Sequence, residues 1–541
     1  MNVAQALAAI LKKEGVEFLF CYPNNKVIDE AALLGIRPIV VRQERSGLHM
    51  ADAISKLSSG ARIGVFASQH GPGAENAYGS VAQSYGDSVP VLVLPQGYPR
   101  HTAPVKPNFS AAVSMRDVSK IAEALLVPDE IPNVMRRAFS ALRNGRGGPA
   151  VVEVPKDLWA AELSTPETYT PVSVGRYGPD PADVERAVDL LVAARAPAIH
   201  AGQGVHYAKA WPELLELAEL LRAPVATTLA GKSAFPEDHP LALGSGGLAY
   251  PQTVKTFLGE ADVILGVGCS FTETSFAFPI PAGPRIVHLT LDPDHLNKDV
   301  RAEVGLIGDA KLALRAIIDA LRARHYQPAH ADPSERIAQV REAWLAQWAP
   351  KLDSDASPIS PYRVVRELIE ATKNERVIMT HDAGRPRDQL TPFWISREPL
   401  SFLGWGKTTQ LGYGLPLIMG AKLAHPEKLC INVWGDAAIG FTGTDLETAA
   451  REKIGVLSIL LNNQGMATEL LALPSANRLY NATDISGHYA QMATALGCYA
   501  ERITEVGDIA GAIARGIEKT REGIPVLLEF MTEKETSYSQ P

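Results

Sequence analysis

Short apolar runs rich in β-branched residues alternate along the chain with longer stretches whose apolar residues recur at helical spacing. The runs RPIVV (37–41), RIGVF (62–66), PVLVLP (90–95) and PAVVEV (149–154) lie between helical segments. They are continuously apolar rather than alternating, the pattern of strands covered on both faces. Strand and helix in alternation predict βαβ units and parallel sheets. The pattern breaks twice. STPETYTPVSVGRYGPDP (164–181), rich in Pro, Thr and Gly, predicts a linker, after which PAIHAGQGV (197–205), ADVILGVG (261–268) and RIVHLTLD (285–292) form a second series. Behind the charged helix SERIAQVREAWLAQW (334–348), APKLDSDASPISP (349–361) predicts a second linker. A third series then has strands near RVIMT (376–380), KLCINVW (428–434), VLSILL (456–461) and PVLLEF (525–530). The expected fold class is α/β, with three doubly wound parallel-sheet domains at 1–165, 182–330 and 361–541. The first and third could be two copies of one design.

Composition agrees and removes some function classes. A chain of 541 residues is too long for one core and fits three domains. With 46% hydrophobic and 21% charged residues it has the balance of an ordinary globular enzyme. The net charge of -8, with no Lys/Arg cluster, offers no docking face to nucleic acid or an anionic membrane, so small-molecule partners are expected. Cys21, Cys269, Cys430 and Cys498 form no CxxC pair and predict buried thiols rather than a zinc site or disulfides. The N-terminal MNVAQALAAILKKEGVEF reads as a first helix, not a signal peptide, and no run approaches a membrane span. A cytoplasmic location is the expectation.

The strongest chemical signal is KLCINVWGDAAIGFTGTDLETAAREKIGVLSILLNNQGMATE (428–469). A buried strand ends in Gly435-Asp436, an Ala/Gly-rich turn opens the helix TDLETAARE, and a second strand ends in Asn462-Asn463. A right-handed crossover places both strand ends on one sheet edge. The oxygens of Asp436 and Asn463, with a backbone carbonyl near Gly465, then suit a magnesium ion and leave room for a diphosphate. Gly435, Ala437 and Ala438 leave the backbone bare for phosphate to approach. Each dipeptide alone would read as a turn; the two together, each behind a strand, point to metal and diphosphate.

Here the chain resembles the thiamine diphosphate enzymes, whose binding motif begins with GDG and ends with NN; GDA replaces GDG, as in the acetolactate synthase-like branch. The segment 67–100, with GPGAEN and DSVP, and GPAVVEVPKDL (148–158) are similar to that branch as well. The resemblance implies a pyrimidine-binding, a central and a diphosphate-binding domain. It implies thiamine diphosphate and Mg2+ as cofactors, held between the first domain of one subunit and the third of another in a homodimer or homotetramer. It gives Glu44, after the strand RPIVV, the role of hydrogen-bonding the aminopyrimidine so that the thiazolium proton can be removed. Thr409 and Leu411, in GKTTQLGYGLP, match the carbonyl that meets the aminopyrimidine and the bulky side chain that bends the cofactor. Asn25 matches a polar position facing substrate in decarboxylase relatives. Gln69 and His70 match the loop facing the thiazolium, and Glu469 matches a proton-transferring glutamate of pyruvate decarboxylases.

The implied reaction is decarboxylation of a 2-oxo acid, the resulting enamine being protonated or captured by a second carbonyl compound. HDAGRPRDQLTPFW (381–394) departs from the GQHQMW of acetolactate synthases, and GVGCSFTETSF departs from their flavin-associated RFDD. An acetolactate product and FAD are therefore not implied. Two alternatives stay open. One is a CoA-thioester enzyme of the oxalyl-CoA decarboxylase or 2-hydroxyacyl-CoA lyase type, although AGQGV (201–205) is too weak a glycine motif to assign an ADP group and little chain follows KETSYSQP for a lid. The other is a non-catalytic homologue, against which Glu44, Asp436 and Asn463 together argue.

Overall fold

The computed structural model describes residues 1–541. Each series closes into one six-stranded sheet, and the recorded strand pairs are all parallel. In the first domain the strands are Phe18–Cys21, Arg37–Val40, Gly64–Ser68, Val91–Gly97, Ile121–Ala124 and Ala150–Pro155, lying side by side in the order 2-1-3-4-6-5. The third domain has Val377–His381, Phe402–Leu403, Leu429–Gly435, Leu457–Asn462, Tyr499–Ile503 and Val526–Met531 in the same order. These two sheets are one design used twice. The central domain, with Pro197–Ala201, Val225–Thr228, Ala242–Gly246, Val263–Val267, Arg285–Thr290 and Val304–Ile307, runs 3-2-1-4-5-6. That is the order of doubly wound dinucleotide-binding sheets.

Interior strands such as Gly64–Ser68, Val91–Gly97 and Leu457–Asn462 are buried at every residue, as continuous apolar runs require. The strands Ile121–Ala124 and Tyr499–Ile503, which the hydrophobic pattern does not announce, lie at sheet edges and are partly exposed. The second linker starts later than the pattern predicts. The helix Ser334–Leu352 runs through Pro350, placed in the last turn where one lost N–H bond is tolerable, and Trp344 and Leu352 bury against the third domain. A helix, Asp436–Thr442, also begins where a turn was expected after Gly435. All four cysteines are buried and free, and no helix is long and apolar enough to cross a membrane.

The first and third domains meet through two helices, Glu44–Leu57 and Gly414–Ala424. All residues of the first but Arg45 are buried. The helices approach so closely that a Cβ on Gly420 would stand 2.4 Å from the Met50 carbonyl oxygen. The charged groups in this contact gather into one cluster, as buried charge requires. Lys56 Nζ lies 2.6 Å from the Tyr413 hydroxyl, 3.1 Å from Asp52 and 3.6 Å from Asp87, and Ser84 donates to Asp52 at 2.9 Å. Gly420→Ala is therefore expected to force the helices apart and destabilise the chain by about 1–3 kcal/mol, measured by urea unfolding; an unchanged midpoint would show that the helices do not pack this tightly.

Candidate functional site

Asp436 opens a helix directly after Leu429–Gly435, and Asn463 directly follows Leu457–Asn462. The strands are parallel neighbours with Gly435 opposite Leu461, so both residues leave the same sheet edge. Asp436 is 4% exposed, and its carboxylate accepts from the N–H of Ala437 at 2.9 Å and of Gly465 at 3.0 Å. Burial pushes its pKa up to about 6 against the opposing pull of these backbone bonds. Asn463 Oδ1 is buried with no hydrogen-bond partner. Asn462 differs: its Nδ2 donates to Glu529 at 2.7 Å and its Oδ1 accepts from Gln464 N–H, which makes it structural. A buried carboxylate and an orphaned amide oxygen on one edge form a hard-oxygen donor set that fits magnesium. The Gly465 amide, not its carbonyl, meets Asp436, and the carbonyl accepts from Ala467 N–H at 3.1 Å. Ala437 and Ala438 lie in the first turn of the helix that Asp436 opens, Ala438 buried.

The loop carrying Thr409 and Leu411 is held from two sides. Gln83, in the first domain, accepts from the Thr408 hydroxyl at 2.7 Å and from Gln410 N–H at 3.3 Å. Asp382, at the end of Val377–His381, accepts from the N–H groups of Gly412 at 2.9 Å and Gly414 at 2.8 Å. The Leu411 carbonyl accepts from Arg45 at 3.4 Å. Between these anchors Thr409 and Leu411 are only half-buried.

Four first-domain candidates leave the carboxyl ends of neighbouring strands. Glu44, 2% exposed, starts its helix and accepts from Asn76 Nδ2 at 3.1 Å. Asn25 donates to the carbonyls of Ser68 at 3.0 Å and Leu94 at 2.9 Å and accepts from Val27 N–H, so its amide ties three chain segments together. Gln69 and His70 follow Gly64–Ser68. Trp159 Nε1 donates to Gln96 Oε1 at 3.1 Å, which turns the Gln96 amide nitrogen toward His70 Nδ1 at 2.8 Å. His70 Nδ1 must then accept, leaving the proton on Nε2, and burial holds the ring's pKa below the usual value. His70 is thus set as a neutral Nε2–H donor. Glu469 lies in a turn beyond Gly465, half-exposed, rather than in a helix. The structure brings Asp436, Asn463 and Gly465 together; Glu44 and His70 remain on the first domain, Glu44 bonded there to Asn76 rather than to the Asp436 edge.

Gln83, Gln96, Trp159, Asp382 and Arg45 were not singled out by sequence. Their roles arise from partners distant in the chain, and only Asp382, at a strand's carboxyl end, carried any signal.

A separate cavity of about 990 Å³ lies at the carboxyl edge of the central sheet, lined by residues that include Gln203, Cys269, Asp292 and His295, with Arg146 from the first domain and Lys407 from the third. It opens where the strand order reverses between Pro197–Ala201 and Val263–Val267, the usual ligand position in such sheets. Gly202 and Gly204 press against the backbone of Gly268, so the AGQGV glycines serve loop-to-loop contact.

Asp382 is fully buried, and burial pushes its pKa up to about 7 although three backbone N–H groups bond it. A folded pKa above the unfolded one means that the folded chain holds this proton more tightly. Its contribution to stability is full below about pH 4 and is lost as pH rises to about 7. Comparing wild type with Asp382→Asn by urea unfolding, the balance is expected to move against wild type from pH 4 to 8, by roughly 4 kcal/mol at most. A gap independent of pH would refute the shift.

Three family models match in chain order: the N-terminal TPP binding domain of thiamine pyrophosphate enzymes at 1–116, the central domain at 184–317 and the C-terminal TPP binding domain at 382–530. A probable acetolactate synthase large subunit of Methanocaldococcus jannaschii is 30% identical over 98% of this chain and 92% of its own length. The acetolactate synthase isozyme 3 large subunit of Escherichia coli is 29% identical, over 98% and 95%. With three parallel-sheet domains in the matching order, the chain belongs to the thiamine pyrophosphate enzyme family, as an acetolactate synthase-like enzyme of carboligation and decarboxylation.

Proposed function

We propose that the chain decarboxylates a 2-oxo acid and passes the remaining acyl fragment to a proton or to a second carbonyl compound. The acetolactate synthases among its relatives support that substrate class. The observation that carries the reading is the buried Asp436 carboxylate with the orphaned Asn463 amide oxygen on the same edge. These two residues would hold Mg2+ and, through it, the diphosphate. Thiamine diphosphate, when bound, would supply a carbon nucleophile for the oxo group and a cationic ring as the sink for the electron pair of the broken C–C bond. Glu44 holds and exchanges a proton at the aminopyrimidine ring, its burial keeping water from competing. Thr409 would offer its carbonyl to the same ring, and Leu411 would supply bulk beside the bound cofactor. His70 presents its Nε2–H toward the substrate oxygen, with Gln69 beside it. Glu469, half-exposed in its turn, would assist proton transfer, and Asn25 keeps the strand ends in register.

We place the working site between subunits of a dimer or tetramer, as the family resemblance implies; within one chain the Glu44 carboxylate is bonded to Asn76 of its own domain. Calorimetric titration should find thiamine diphosphate binding that requires magnesium, and Asp436→Ala should weaken it about a hundredfold or more. Glu44→Gln should keep that binding and lose turnover by about a hundredfold or more. Mixing the two variants should restore activity through hybrid oligomers that contain one intact site. Restoration would fail if each site were built from a single chain, and magnesium-independent binding would remove the metal assignment.

The central cavity supports a second ligand. Its volume, its place at the strand-order reversal and the cations Arg146 and Lys407 suit the phosphates of a nucleotide group such as that of FAD. Flavin absorbance in the purified protein, or a thermal shift on adding FAD but not adenosine, is expected; no response to FAD or ADP would leave the cavity without a nucleotide role.

A further inference from the structure

One face of the helix Pro72–Gly86, in the first domain, carries the loop of Thr409 and Leu411 from the third. Gly79, Gln83 and Gly86 recur on that face at i, i+4 and i+7. A Cβ on Gly79 would run into Gln410 Nε2, and one on Gly86 would stand 3.1 Å from Thr408 Cγ2. The two glycines let the loop lie flush on the helix, and Gln83 is the polar group between them, 1% exposed.

A buried amide must use both of its ends. Gln83 Nε2 donates to Asp87 at 2.9 Å, one turn further along, and Asp87 is anchored in turn by Lys56 at 3.6 Å. That bond decides which way the amide faces and leaves its oxygen for the loop. The oxygen accepts from the Thr408 hydroxyl at 2.7 Å and from Gln410 N–H at 3.3 Å. These two donors flank Thr409. On the far side Asp382 holds the N–H groups of Gly412 and Gly414, and the Thr442 hydroxyl donates to the Gly412 carbonyl at 2.8 Å. The Thr409 carbonyl accepts no hydrogen bond from the backbone, although the residues on both sides of it are fixed.

We propose that Gln83 is a positioning residue for the cofactor: by holding Thr408 and Gln410 it aims the Thr409 carbonyl at the aminopyrimidine ring. The proposal rests on reading the Thr409 loop and the Asp436 edge as the cofactor site. Gln83 acts on the ring half of the cofactor and not on the diphosphate half. It lies on the first domain yet works through a third-domain loop of its own chain. In a site built between subunits it therefore serves the same site as Asp436 of its chain, not the site that its chain's Glu44 completes.

The test uses the full chain. With magnesium saturating, calorimetry on Gln83→Leu should show the Kd for thiamine diphosphate raised about tenfold or more and the Kd for inorganic pyrophosphate held within about twofold. Unchanged thiamine diphosphate binding would overturn the proposal, and so would an equal loss for both ligands, the mark of a general loosening between domains. Should Gln83→Leu not fold, Thr408→Val removes one of the two donors from an exposed residue. It should give the same split with a loss of about threefold or more, and an unmoved cofactor Kd there is equally fatal. Mixed oligomers supply the second arm. Gln83→Leu should restore carbon dioxide release from pyruvate when mixed with Glu44→Gln but not with Asp436→Ala; the opposite pairing would place Gln83 with Glu44 and overturn the assignment. If Glu44→Gln and Asp436→Ala fail to restore each other, the reading of a site between subunits falls, and the calorimetric comparison alone decides Gln83.

Discussion

The close contact between the helices Glu44–Leu57 and Gly414–Ala424 sets how the first and third domains of one chain sit against each other. Each helix begins with a functional element: Glu44 is the first residue of one, and the loop of Thr409 and Leu411 runs directly into the other. The separation allowed by Gly420 therefore fixes where two N-terminal ends can be. Polar pairing fixes their register. The Lys56, Asp52, Asp87 and Tyr413 cluster continues into Gln83, whose amide nitrogen donates to Asp87 at 2.9 Å while its oxygen holds Thr408 and Gln410. A polar chain thus runs from the domain interface to the loop. Lys407, at the start of that loop, also lines the central cavity, so the two ligand regions share one stretch of backbone.

Burial acts on each titratable group here according to what surrounds it. Asp382 and Asp436 both lose solvation and both have backbone N–H donors, yet burial outweighs the donors in each case. For Asp436 those donors are the N–H groups of Ala437 and Gly465. For Asp382 the N–H groups of the cofactor loop take that place. His70 reaches its neutral state through burial and receives its tautomer from Gln96 and Trp159.

Much of this was legible in the sequence, for identifiable reasons. Doubly covered strands betray themselves as unbroken apolar runs, which located interior strands in all three sheets but missed Phe18–Cys21 and Val225–Thr228, while the apolar run at Arg37–Val40 proved to be a largely exposed edge strand; edge strands such as Ile121–Ala124 and Tyr499–Ile503 carry polar residues and vanish into the background. Asp436 and Asn463 were visible because strand, turn, helix and strand lie consecutively between them. Gln83 and Gln96 were not, since a glutamine has no local signature and its meaning lies in partners from other elements, for Gln83 a loop of the third domain. Glu44 and Asn25 were both found, but one carries a carboxylate bonded to a single amide and the other spends its amide on three backbone groups, a difference only coordinates express. Pro350 misled for the opposite reason: it is a strong local signal overridden by burial of Trp344 and Leu352.

The identical strand order of the first and third sheets also bears on ancestry. Two copies of one sheet present equivalent edges, and at the outset either could have carried either function. In the proposed function the copies divide the work: Glu44 on one edge would handle a proton, and Asp436 and Asn463 on the other would hold the metal. Such a division lets each edge drift without disturbing its twin, so long as the helices that join them keep their spacing.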